Sequence, residues 1–74
     1  MLRINQAYID RFKRNGKNLF YLVSPGVYLS FDGDTLDYVG VEFYFTPGLN
    51  SKINYKAEKK LVELISKGLV EYYE

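Results

Sequence analysis

A chain of 74 residues with neither a cysteine nor a histidine must hold itself together by burial alone. No disulfide can form, and the commonest neutral metal ligand and proton shuttle is missing. A domain near this size buries only about 60% of its unfolded surface, so its core is thin. Short chains usually supplement such a core with disulfides, a metal or a partner subunit. The supplements left to this one are aromatic packing and oligomerisation. Eight tyrosines and five phenylalanines suit the first, because each ring buries a large area. The length suits one domain over residues 1–74.

The start, Met1-Leu2-Arg3-Ile4-Asn5-Gln6, turns polar at once and does not resemble a signal peptide. No apolar run approaches the roughly 20 residues that span a bilayer. With no cysteine, the expectation is a cytoplasmic protein without a membrane partner. The Lys-, Asn- and Tyr-rich composition matches small proteins of AT-rich genomes and their phages or mobile elements. Net charge is only +1, but it is unevenly spread. Arg3, Arg11, Lys13, Arg14 and Lys17 face only Asp10 in residues 1–18, a net +4. Residues 19–51 carry Asp32, Asp34, Asp37 and Glu42 and sum to −4, counting only these charges beside Lys-free sequence. Basic ends therefore flank an acidic middle.

Hydrophobic periodicity divides the chain into helix, three strands, helix and a short tail. Asn5 is a candidate N-cap for a first helix. Tyr8, Ile9 and Phe12 share one side of it, and Arg11, Arg14, Lys17, Asp10 and Lys13 the other. Gly16 would stop that helix. The rival reading makes Asn15-Gly16 a two-residue hairpin turn between two strands, with residues 5–15 as the first of them. Leu19 to Val23 is a continuous apolar run, ended by Ser24-Pro25-Gly26. Val27 to Asp32 alternates, and Gly33-Asp34 marks a turn. Leu36 to Thr46 is the longest strand candidate, with Gly40 marking either a bulge or a site where another element packs closely, and Pro47-Gly48 as its stop.

The second helix carries Ile53, Ala57, Leu61, Leu64 and Ile65 on one stripe, with Asn54 as its cap. Gly68 ends it, and Leu69–Tyr73 suits a short edge strand. The expected fold is a two-layer α+β domain. A three- or four-stranded antiparallel sheet would carry both helices on one face, in the order α-β-β-β-α(-β).

Catalytic chemistry finds little support. Cysteine nucleophiles and histidine bases are excluded, and Ser24, Ser30, Ser51 and Ser66 sit in no nucleophile-elbow pattern. Asp32, Asp34 and Asp37 lack the spacing of a calcium loop and read as turn residues. The expectation is a non-enzymatic protein that uses no cofactor and no metal.

The tyrosines carry the functional reading. If Phe20, Leu22, Val27, Leu29 and Phe31 face the helices, strand alternation puts Tyr21, Tyr28, Tyr38 and Tyr44 together on the open face. Tyrosine joins an apolar body to a polar tip and is enriched at interfaces. These four residues are the candidate partner-binding site of a protein-interaction module. Its partner would be another protein or a second copy in a homodimer. The bland reading is ordinary cross-strand pairing on a wet sheet. The alternative function is nucleic-acid binding through Arg11, Arg14 and Lys17 of the basic first helix, against which the acidic middle segment argues.

Overall fold

A computed structural model describes residues 1–44 and 51–73. The protein is α+β with an antiparallel sheet. The elements, in order, are β1 (Leu2–Ile4), a 3₁₀ segment (Gln6–Arg11), β2 (Lys13–Asn15), β3 (Asn18–Ser24), β4 (Val27–Asp32), β5 (Tyr38–Phe43), α1 (Ser51–Ser66) and β6 (Val70–Tyr72). Strands β2-β3-β4-β5 form a four-stranded meander, and β1 pairs with β6 in a separate two-stranded sheet. The expected end of the third strand at Phe45 and Thr46, and its Pro47-Gly48 stop, lie outside the described residues.

The N-terminal segment follows each reading in part: a 3₁₀ segment comes first, only Lys13–Asn15 form a strand, and the turn is Gly16-Lys17 rather than Asn15-Gly16. The described residues contain one α-helix, not two, because the first segment makes only a short 3₁₀ stretch. Asn5 does cap it, accepting from the Ala7 N–H at 3.1 Å. Tyr8 already leaves helical geometry at φ −115°, and Phe12 is extended at φ −110°, ψ 144°. Gly16 then takes φ +64° in the Gly16-Lys17 loop joining Asn15 to its partner Asn18. A positive φ at the first central position is what a type II′ hairpin turn requires, and glycine meets it without strain. The tight hairpin therefore prevails over a helix whose apolar stripe was only three residues wide.

The fourth strand of the main sheet is thus β2, while the tail strand β6 pairs elsewhere. β6 runs antiparallel to β1, with Leu2 opposite Tyr72, Arg3 opposite Glu71 and Ile4 opposite Val70. The Met1 ammonium donates to the Tyr73 carbonyl at 3.0 Å, and the Tyr73 N–H donates back to Met1 at 2.9 Å. A bridge between Arg3 and Asp37 joins this ribbon to the start of β5. The Arg3 guanidinium also lies over the Tyr73 ring, 4.6 Å from its centre, while the Tyr73 hydroxyl donates to Asp37.

α1 ends at a glycine, as its sequence predicts. Gly68 adopts φ +82°, its N–H bonds to the Ile65 carbonyl at 3.1 Å, and the Leu69 N–H bonds to Leu64 at 2.9 Å. That pair of bonds is a Schellman motif, and the buried side chains of Leu64 and Leu69 supply its hydrophobic contact. The Asn5 side chain donates to the Gly68 carbonyl at 3.0 Å, so the same turn anchors the N-terminal segment.

One hydrophobic core lies between α1 and the sheet. It contains Ile4, Phe12, Leu19, Leu29, Phe31, Ala57, Leu64, Leu69 and Val70. An aromatic seam runs through it: Phe12 sits 5.4 Å from Tyr21 and 5.2 Å from Phe31, which is 5.3 Å from Tyr38. These tilted and edge-on arrangements are the ones aromatic quadrupoles favour. Leu64 is fully buried at the helix–sheet contact. Leu64→Ala is expected to lower stability by about 2–5 kcal/mol, read as a fall in the urea midpoint.

Candidate partner-binding face

Strand register decides which side chains reach the open face. Across β3 and β4, Leu19 lies opposite Phe31 and Tyr21 opposite Leu29, so these residues share the covered side. Phe20 lies opposite Ser30 and Leu22 opposite Tyr28, so these share the open side. A register shift between Leu22 and Ser24 leaves Val23 as the extra residue of a bulge. An unbulged hairpin running from the Ser24–Val27 pair would set Leu22 against Leu29, which is the alternation expected from the sequence. The bulge inverts it.

β5 repeats the device. Val27 pairs with Phe43, Leu29 with Val41 and Ser30 with Gly40, but Phe31 pairs with Tyr38. Val39 is the extra residue, beside Gly40 at φ +148°. The bulge foreseen at Gly40 is therefore present. It turns Tyr38 onto the covered side, where its ring packs on Phe31. Burial first, and the charge of Glu58 second, raise the Tyr38 hydroxyl pKa above its ordinary value.

The expected set of four tyrosines on one face is accordingly not formed. Tyr21 and Tyr38 pack against the core, Tyr21 also lining the groove described below, while Tyr28 and Tyr44 remain on the open face. Phe20 and Leu22 take the vacated places. Phe20 and Tyr28 have ring centres 6.1 Å apart at 77°, and Tyr28 and Tyr44 5.6 Å apart at 69°. Leu22 is 55% exposed and Tyr44 41% exposed. The result is a row of three rings with an exposed leucine beside it.

Basic side chains border this row. Arg11, Lys13 and Arg14 line one open groove together with Phe20, Leu22, Tyr28 and Tyr44, and Lys60 of α1 lines it too. Lys13 lies directly opposite Phe20. Arg14 reaches toward the Gly33 carbonyl at 3.4 Å, and the Arg11 guanidinium lies 5.8 Å from the Tyr8 ring centre. No carboxylate lines the groove among the described residues. Of the three basic residues proposed as a helical patch, Arg11 and Arg14 meet here, on a 3₁₀ segment and a strand rather than on one helix. Lys17 sits in the adjoining turn.

Two signals escaped the sequence. Phe20 and Leu22 belong to an apolar run with no alternation to assign their side. Ser30 belongs to the open face, opposite Phe20 and Gly40, yet it is fully buried and its hydroxyl has no hydrogen-bond partner among the described residues.

The acidic stretch is a turn. Asp32 Oδ1 accepts from the N–H groups of Asp34 at 2.7 Å and Thr35 at 2.9 Å. Those bonds, Thr35 foremost, hold its carboxyl below the ordinary 3.8. Asp37 accepts from Tyr73. Among the described residues no group of three or more acidic side chains is arranged to hold a metal ion. No helix among them is long and apolar enough to cross a membrane.

Comparison with protein-family models, with curated proteins and with solved structures finds no match to this chain.

The orphaned Ser30 hydroxyl makes a direct prediction. A buried, unsatisfied hydroxyl costs about 1–3 kcal/mol, so Ser30→Ala is expected to leave stability unchanged or raise it by about 1 kcal/mol in thermal and urea unfolding. A clear loss of stability would mean that the hydroxyl has a partner.

Proposed function

We propose that the protein is a non-enzymatic protein-binding module that meets its partner through the open face of the four-stranded sheet. The observation that carries this reading is the convergence of Phe20, Leu22, Tyr28 and Tyr44 with Arg11, Lys13 and Arg14 on one groove. Aromatic residues and arginine are the types enriched at protein interfaces, and a ring cluster bordered by cations repeats their apolar centre and polar rim. The exposed Leu22 offers an apolar anchor at that centre. The cationic border favours a partner segment that joins apolar side chains to carboxylates.

Single-stranded nucleic acid is the second reading. It is favoured by one feature, a groove lined by cations and rings without a carboxylate among the described residues. Bases stack on aromatic rings and phosphates pair with such cations. The Glu42 side of the same face weakens it, because Glu42 lies opposite Tyr28.

Affinity purification with three forms of the protein separates these readings. Wild type and Val62→Asp, altered on the exposed side of α1, are expected to recover the same protein partner. Leu22→Asp combined with Tyr28→Ser is expected to lose it by about tenfold or more, the scale of an interface hot spot. Recovery that survives the groove variant contradicts the proposal. Recovery abolished by nuclease, with direct oligonucleotide binding that weakens steeply as salt rises, selects the nucleic-acid reading instead.

A further inference from the structure

The two edges of the main sheet are built differently. The β2 edge is three residues long and carries Lys13, Arg14 and Asn15, all exposed. Short, charged strands of this kind discourage another strand from pairing. The β5 edge, Tyr-Val-Gly-Val-Glu-Phe, has no lysine, arginine or proline. Its Val39 is 61% exposed.

Hydrogen bonds fix which main-chain groups that edge presents. The Tyr44 N–H donates to the Gly26 carbonyl at 2.7 Å, one residue beyond the Val27–Phe43 pair. This marks Val27–Phe43 as a pair that exchanges no hydrogen bonds of its own. The Asp32 N–H donates to Asp37 at 2.8 Å, and the Gly33 N–H to Lys17 at 2.8 Å. These place the inner groups of β4 at Tyr28 and Ser30 toward β5, consistent with the same alternation. The N–H and C=O groups of Val41 and Phe43 therefore point away from β4. Neither residue has a hydrogen-bond partner on that side among the described residues.

We infer that a second copy of this chain pairs with β5 antiparallel, around a two-fold axis at Val41. The edge complements itself in this register. Val41 faces the Val41 of the second copy and exchanges hydrogen bonds with it, while Phe43 lies against Val39. Glu42 falls opposite Gly40, whose missing side chain leaves open space. A two-fold at Glu42 would instead set two carboxylates directly opposite each other, which is destabilising. The contact is isologous and closed, so it makes a dimer and not a filament.

The tyrosine-bearing open face stays free in the dimer, so this association is separate from the groove and its partner.

Amide hydrogen exchange of the wild-type protein tests this without a variant, alongside absolute mass by light scattering across a concentration series. The expected result is a dimer in which the amides of Val41 and Phe43 are protected and lose that protection on dilution. Glu42, whose amide serves the ladder to β4, stays protected at every concentration. Val39→Lys is expected to weaken dimerisation at least about tenfold. Leu22→Asp is expected to leave it unchanged. A monomer at all concentrations, with Val41 and Phe43 exchanging fast beside a protected Glu42, overturns the inference. So does a dimer that persists in Val39→Lys or dissociates in Leu22→Asp.

Discussion

Two single-residue bulges, at Val23 and Val39, govern how the aromatic rings divide between core and surface. Side chains alternate across a strand, so one inserted residue moves every later side chain to the other face. The bulge at Val23 sends Tyr21 inward and Phe20 and Leu22 outward. The bulge at Val39 sends Tyr38 inward. The core then gains an unbroken aromatic seam through Tyr21, Phe12, Phe31 and Tyr38. The open face gains a second row through Phe20, Tyr28 and Tyr44. In a chain without a disulfide, that first seam supplies much of the burial that a small domain otherwise lacks.

The same register explains how the N-terminal segment is held. Phe12 leaves the 3₁₀ segment in extended conformation and inserts its ring between Tyr21 and Phe31. Its position follows from the Gly16-Lys17 loop, which sets Lys13 opposite Phe20. Around the other end of the molecule, β1 and β6 join the two termini, and Arg3, Asp37 and Tyr73 fasten that ribbon to the main sheet. The core is thus closed by local turns and by the β1–β6 ribbon, whose residues come from opposite ends of the chain. The β2 edge is short and carries Lys13 and Arg14, whereas the β5 edge carries Glu42 as its one charged residue.

Much of this was legible in the sequence. Alternation placed β4 correctly, with Val27, Leu29 and Phe31 inward and Tyr28 outward. The stripe of α1 and its Gly68 stop were legible because helix period and glycine chemistry are both local signals. Gly40 gave away its bulge. The face of β3 was not legible, because Leu19 to Val23 are all apolar and any parity satisfies them equally. The bulge that settled the matter falls at Val23, where no glycine announces it. The first segment misled for a related reason. Tyr8, Ile9 and Phe12 fit a helical stripe, but the decisive signal was the turn at Gly16. The candidate site was consequently legible in part: Tyr21, Tyr28, Tyr44, Arg11 and Arg14 line the groove, while Tyr38 does not and Phe20 and Leu22 were assigned to the wrong side.

The division of rings by the two bulges is open to direct measurement through nuclear Overhauser contacts between aromatic side chains. The account predicts contacts from Phe20 to Tyr28 and from Tyr28 to Tyr44, and a separate set linking Phe12 with Tyr21 and Phe31 and Phe31 with Tyr38. Contacts joining Phe20 to Phe31 or Leu64, together with a Tyr21 ring that touches Tyr28, would contradict it.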